Sequence, residues 1–386
     1  MISVVRLSPS AIMSLPETIL QFGSGRFLRA FADVFVDRAN RDGQAIGRVV
    51  IVQSTGGERA GGLNASAGRY HVLIRGFRDG RTIDEVSEIT SVSRALVASS
   101  DWSQIVELAR SPDLKFVLSN TTEAGYTLDP EDRAGMTPPK SFPAKLLTLL
   151  HHRWQASQSG LTVIPCELIE GNATLLRGCL MDLALSWHYP DEFLDYVLNS
   201  CVWLHTLVDR IVSGTPEGHP LLVGDPMMIV AEPYALFALE THPNAARFAE
   251  DPAIVRTADV RPYFLRKVRI LNAAHTALLI RAVPKGYALV REAMADAELA
   301  GWLEAMLVEE VVPVLAGRVD GPERFVAETL DRFRNPFLDH RFADIALHHE
   351  SKIRIRLIST ATEYAARFGK PPAMLSEVIR ESGIVG

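Results

Sequence analysis

The sequence is short of the features that would commit a chain to a special environment. Only three cysteines, Cys166, Cys179 and Cys201, occur in 386 residues. They are odd in number and show no C-x-x-C spacing, which suits a reducing cytoplasmic compartment better than a disulfide framework. No apolar run approaches the ~20 residues that span a bilayer. The opening stretch MISVVRLSPSAIMSLPETIL is interrupted by Arg6, Pro9 and Pro16 and lacks a secretory apolar core. A membrane is therefore not an expected partner. Basic residues are in deficit, 40 against 46 acidic, for a formal net charge of −6. That argues against nucleic acid as the main partner and leaves room for a local basic pocket that takes a small anion. Metal signatures are missing too. There is no H-E-x-x-H and no cysteine cluster. The pairs His151–His152 and His348–His349 fall on expected helices, where neighbours point about 100° apart and share no ligand face. No G-x-S-x-G elbow suggests a hydrolase, and no repeat or low-complexity tail is present.

What is there is a large apolar content, 47%, enough for two domains. ETILQF, RVVIVQS, LKFVLSN and LTVIPCELI read as buried strands, and RYHVLIRGFRDGRTIDEV reads as a hairpin around Asp79-Gly80. RFLRAFADVFVDRAN, DWSQIVELARS, FPAKLLTLLHHRWQAS and NATLLRGCLMDLALSW read as the helices between them. Strand and helix thus alternate over about residues 15–190, the pattern of a parallel sheet. Beyond it the segments favour helix. The expectation is an α/β chain with a Rossmann-like domain over 1–195 and a mostly α-helical domain over 196–386.

Two stretches carry chemistry. In ILQFGSGRFLRAF, Gly23 and Gly25 stand between a strand and a helix. There a glycine turn lets backbone approach a pyrophosphate and the helix dipole favours the anion. Leu28 occupies the place of the usual third glycine, and the plain alternative is a glycine-rich turn with no ligand. At the end of the second strand, IVQSTGGER has Gln53 where NAD-binding domains carry an acidic residue. Arg59 is either a solvated loop charge or a partner for a 2′-phosphate, so NAD versus NADP is left open. The second stretch is KVRILNAAH, which places Lys267, Asn272 and His275 on one helix. At ~100° per residue Asn272 lies about 140° and His275 about 80° round from Lys267, all on one broad face. A lysine of lowered pKa can exchange a proton with a substrate oxygen while hydride moves, and Arg266 and Arg269 would push it that way if they approach. Asn272 can donate to a developing oxyanion. The competing reading is a basic helix end with two satisfied core polar groups.

Together, ILQFGSGRFLRAF, FVLSNTTEAGY, IPCELIEGN, TLVDRIV, KVRILNAAHTALL and RFRNPF, in that order, resemble the polyol-specific long-chain dehydrogenase/reductase (mannitol dehydrogenase) family. Its branches act on mannitol, mannitol 1-phosphate, fructuronate and tagaturonate. The wording is nearest the tagaturonate branch. The resemblance covers most of the chain and implies an NAD(H)-binding Rossmann-like domain, a helical domain and metal-free hydride transfer between altronate and tagaturonate. It also implies that cofactor meets Phe22, Gly23, Gly25, Arg26, Phe27, Gln53, Asn120, Thr121, Thr122 and Glu123. By the same match Lys267 is the general acid/base, Asn272 and Asn172 form the oxyanion hole, and His275 orients substrate. Asp209, Arg332 and Lys352 are the implied substrate contacts. The chain stops sooner after RIRLISTATEYAARFGK than the uronate reductases do, nearer the length of the mannitol-phosphate branch. A reading of a different class is a nucleotide-binding protein that kept the fold without the chemistry. Monomer and homodimer are not distinguished.

Overall fold

The computed structural model describes residues 7–78, 81–121, 123–216, 218–347 and 349–384; the side chain of Glu123 is outside the description. In chain order the first strands are β1 (Glu17–Phe22), β2 (Arg48–Gln53), β3 (Tyr70–Arg78), β4 (Arg81–Ile89), β5 (Val92–Val97), β6 (Phe116–Ser119), β7 (Thr162–Pro165) and β8 (Val202–Trp203). Six of them form a sheet in the order β5-β2-β1-β6-β7-β8, and every neighbouring pair is parallel. β1, β2, β6 and β7 are almost continuously buried, with apolar centres, because parallel strands are covered on both faces. Leu20, Phe22, Val50, Val52, Val117 and Val163 face the helices Trp102–Arg110, Phe142–Gln155 and Asn172–Ser186 in one core. On the other face Phe31 and Phe35 stack toward Phe237, which meets Phe248 and through it Phe116.

Counted along the chain, these six strands have the order 3-2-1-4-5-6, that of dinucleotide-binding sheets. The direction of winding reverses between β1 and β6, so a crevice opens beyond their carboxyl ends. β3 and β4 are neighbours in a small sheet with β10 (Ile229–Ala231), as the hairpin pattern predicts; the Asp79-Gly80 turn itself lies outside the described residues. β9 (Thr206–Asp209) and β12 (Ile254–Thr257) flank β11 (Leu236–Glu240) in a third sheet.

The chain divides into two compact units, Met1–Leu73 with Glu85–Val260, and Ile74–Asp84 with Arg261–Gly386. The change therefore falls at Val260/Arg261 rather than near 190–200. Apart from a 3-10 turn at Pro220–Val223, the described residues of 202–257 are not helical: β8 completes the large sheet and β9, β11 and β12 join the first unit. These strands are two to five residues long and sit among loops, too short for a periodicity to register. From Arg261 onward the second unit is helical, with a core that includes Leu278, Leu303, Met306, Leu307, Leu315, Phe325, Ile353, Leu357 and Leu375. The end of β3 belongs to it: Phe77 lies against Phe337, and the Asn335 side-chain amide donates to the Arg75 carbonyl at 3.0 Å.

Candidate functional site

In the first unit the expected cofactor residues gather at the carboxyl ends of β1, β2 and β6. The Gly23 amide donates to the Val52 carbonyl at 3.1 Å, and the Asn120 amide donates to that of Phe22 at 3.0 Å. Gly23 has φ +128°, and a Cβ there would stand 3.0 Å from the Asn120 carbonyl oxygen. At Gly25 a Cβ would meet nothing within 4 Å, so its backbone lies open to an approaching group. Arg26 is exposed and Phe27 is stacked on Phe31 at 4.9 Å. This is a turn that only glycine closes, followed by an open peptide, and it fits a pyrophosphate. Leu28, in place of a third glycine, is buried and lies close to Gly23.

Gln53 is engaged. Its Oε1 accepts from the Ala60 amide at 2.9 Å and its Nε2 donates to the Thr55 carbonyl at 2.6 Å, holding the loop after β2; Arg59 in that loop is exposed. Asn120 donates to the Cys166 carbonyl at 2.7 Å, and Thr121 is fixed through its amide and hydroxyl by Glu167. Thr122 and the side chain of Glu123 lie outside the described residues. Glu167, which no spacing in the sequence marks, is a buried carboxylate that also accepts from Ser119 and Tyr126 at 3.0 Å. Burial beside it pushes the Tyr126 phenol well above the usual range.

Asn172 opens the helix Asn172–Ser186 and is 1% exposed. Its Nδ2 donates to the carbonyls of Pro165 and Glu167 and to Thr206, while its Oδ1 accepts from the amides of Ala173 and Thr206. The group is saturated and ties the end of β7 to the start of β9. Asp209 is buried at the end of β9.

In the second unit Lys267, Asn272 and His275 lie on one continuous helical run, Arg261–Ala282, but not on a regular α-helix. Lys267–Asn272 forms a π turn, in which bonds span five residues instead of four. The wider turn brings residues five apart closer to one face than the ~140° of an α-helix. Lys267 is half-buried; Asn272 and His275 are buried, at 7% and 6% exposed. Neither Asn272 Nδ2 nor His275 Nε2 has a hydrogen-bond partner. Such buried orphans are rare enough to require an explanation. The His275 ring stacks on Phe333 at 4.0 Å and meets His340 edge-on at 4.6 Å. Burial, then the positive fields of His340, Arg356, Arg332 and Lys267, drive its pKa well below the ordinary value. Arg332 thus belongs to the surroundings of His275, and Arg356, which donates to Thr276 at 3.2 Å, is an addition from outside the expected set. Lys352 donates to the Ile345 carbonyl at 2.9 Å.

The arginines beside Lys267 do not both behave as the sequence suggests. Arg269 is turned to Glu363 at 2.6 Å and Thr360 at 2.8 Å, where a carboxylate offsets its charge. Arg266 lies 4.3 Å over the Phe325 ring. His151 is half-buried in an aromatic cluster, stacked on Tyr189, and His348 lies outside the described residues. Among the described residues no group of three or more His, Cys, Asp or Glu is placed to hold a metal, and no helix is long and apolar enough to cross a membrane.

An open parallel sheet of this strand order, with a glycine turn at its winding reversal and a separate helical unit, defines a dehydrogenase built on a Rossmann-like domain. Family comparison agrees: residues 17–251 match the mannitol dehydrogenase Rossmann domain and residues 259–379 the mannitol dehydrogenase C-terminal domain. The chain belongs to the mannitol dehydrogenase family and is an oxidoreductase acting on a CH–OH group. It is 40% identical to the altronate oxidoreductase of Halalkalibacterium halodurans over 379 residues, 94% of this chain and 73% of that one. It is 36% identical to the Bacillus subtilis altronate oxidoreductase over 93% of this chain and 78% of that one. Among solved structures, Pseudomonas fluorescens mannitol 2-dehydrogenase in complex with NAD and D-mannitol has the same fold. Its TM-score is 0.83 at 24% identity, covering 98% of this chain and 81% of that one.

Proposed function

We propose that the protein is an NAD-dependent, cytoplasmic reductase that interconverts D-tagaturonate and D-altronate. The observation that carries this reading is the π turn from Lys267 to Asn272 beside His275: the charge of Lys267 acts on His275, and Asn272 Nδ2 and His275 Nε2 are buried without partners. The names of the relatives at 36–40% identity support the substrate, and three free cysteines suit a reducing compartment. The positive fields of Lys267, Arg332 and Arg356 around His275 suit a sugar acid better than a neutral polyol.

The open peptide at Gly25 would take the pyrophosphate of a nicotinamide dinucleotide, which when bound supplies or accepts the hydride. No carboxylate stands at the end of β2; Gln53 shapes the loop there, and discrimination between NAD and NADP falls to that loop. The donor to the nascent alkoxide is assigned to Asn272, whose Nδ2 has no protein partner, rather than to the saturated Asn172. In reduction Lys267 gives its proton to the carbonyl oxygen, and in oxidation it takes the proton back. His275 accepts a hydrogen bond from a hydroxyl of the same substrate.

The test is Lys267→Ala assayed on a panel of D-tagaturonate, D-fructuronate, D-fructose and fructose 6-phosphate, with NADH and with NADPH. General acid/base groups contribute about 10²–10⁴-fold, so kcat on tagaturonate should fall by at least ~100-fold while NADH still binds. Turnover within a few-fold of wild type overturns the assignment. Ketone reduction should also decline at high pH as Lys267 loses its proton, and a flat profile counts against it.

A further inference from the structure

Three cationic side chains act on His275. Lys267, Arg332 and Arg356 can only donate, and the orphaned atom of Asn272 is a donor as well. A carboxylate satisfies such a set, but the hydroxyls of an open-chain sugar acid also donate and need acceptors. Two imidazoles offer acceptors. His275 Nε2 is buried and unpartnered, and so is Nδ1 of His340, whose ring stands edge-on at 4.6 Å. His340 precedes the short helix Phe342–Ile345, on a different element from His275, so the two rings meet only through folding. Resting on the proposed sugar-acid reading, we propose that His340 is a second substrate-binding histidine: its Nδ1 accepts a hydrogen bond from a hydroxyl of the chain that His275 also holds.

Two physical facts support the role. A neutral imidazole always keeps one nitrogen as an acceptor, whereas a protonated one has none. Burial holds both rings neutral: cations add to it at His275, whereas at His340 the exposed Asp344 pulls the other way more strongly than Arg332 supports it, and burial outweighs both. Each ring is also held in orientation, His275 by its stack on Phe333 and His340 by its edge contact with His275. The pair therefore supplies what lysine, arginine and the asparagine NH2 cannot.

The experiment compares His340→Phe, His340→Asn and His340→Gln with wild type on the same panel of keto-sugars with NADH, reading kcat, KM and melting temperature. Phenylalanine keeps the ring and removes the acceptor, so KM for D-tagaturonate should rise roughly tenfold or more, with kcat within about threefold and KM for NADH unchanged. Asparagine places an amide oxygen near the position of Nδ1 and should keep KM within about threefold, whereas glutamine, which mimics the other nitrogen, should not. A wild-type KM in His340→Phe overturns the inference. So do equal losses in all three variants together with a lowered melting temperature, which would mark a packing role alone. If wild type reduces one panel sugar and only the His340 effect is missing, this inference fails while the proposed chemistry stands. If wild type reduces none of them, both fall.

Discussion

At the scale of single residues, buried polar groups separate into those the protein has satisfied and those it has not, and the sequence does not sort them. Asn172 and Asn272 are the same residue type in similar helical contexts. One is saturated by backbone and the other has an orphaned NH2. Asp33 is a third case, invisible in sequence because it reads as a helix-start acid. It is wholly buried; its Oδ2 accepts from the Tyr70 hydroxyl at 2.9 Å, and its Oδ1 has no partner. Gln21, whose Oε1 is also unpartnered, lies within reach of the same carboxyl. Burial pushes the Asp33 pKa up to about 7, against the downward pull of Tyr70 and Arg29. A proton on Asp33 would satisfy both orphans at once. Between about pH 4 and pH 7 the unfolded chain has lost a proton that the folded chain keeps, so this group makes stability fall as pH rises through that window and leaves it level above. Asp33→Asn carries the same donor and acceptor without ionising. It should melt higher than wild type near pH 8, by an amount on the order of a few kcal/mol, with the gap closing toward pH 4. A variant that melts lower at pH 8 would mean that the fold favours the ionised carboxylate and that the Asp33 pKa is not raised.

At the scale of elements, short apolar runs made β1, β2, β6 and β7 legible. β5, VSRALV, was not legible, because Ser93 and Arg94 break the run. The helix expected from RFLRAFADVFVDRAN is two helices, Arg26–Arg29 and Ala32–Arg41, parted at Phe31 with φ −132° and ψ −84°. The π turn at Lys267 was equally hidden, since π and α turns draw on the same residues and tertiary packing selects between them. The glycine turn was legible and allows a paired test. Gly23→Ala forces a strained φ and crowds the Asn120 carbonyl, so it should cost about 1–3 kcal/mol of stability and weaken NADH binding as well. Gly25 has an ordinary φ of −63° and open space, so Gly25→Ala should leave the melting temperature near wild type. Its added methyl should nevertheless raise the dissociation constant for NADH, measured by fluorescence titration, roughly tenfold, about 1.4 kcal/mol. Unchanged affinity in Gly25→Ala would remove the pyrophosphate from this turn.

At the scale of the whole molecule, the residues proposed for cofactor all belong to the first unit, and Lys267, Asn272, His275 and His340 to the second. Ligand that binds only the folded state stabilises it by about 2.7 kcal/mol at a hundred times its dissociation constant. NADH should therefore raise the apparent melting temperature of wild type, and Lys267→Ala should show the same rise, because the substitution leaves the first unit's turn intact. Loss of the rise in Lys267→Ala would mean that cofactor contacts have been assigned to the wrong residues.

The sequence by itself determined the class of fold, the glycine turn and the order of the motifs. Those depend on local periodicity and on residue types such as glycine that a tight turn demands. Only the tertiary structure decided where the first unit ends, which asparagine has a free donor, that Arg269 is offset by Glu363, and that His340 meets His275. Each of these is a contact between residues far apart in the chain or a choice between nearly equal local conformations. Burial and the positions of neighbouring charges settle them, and neither is written in the spacing of a single segment.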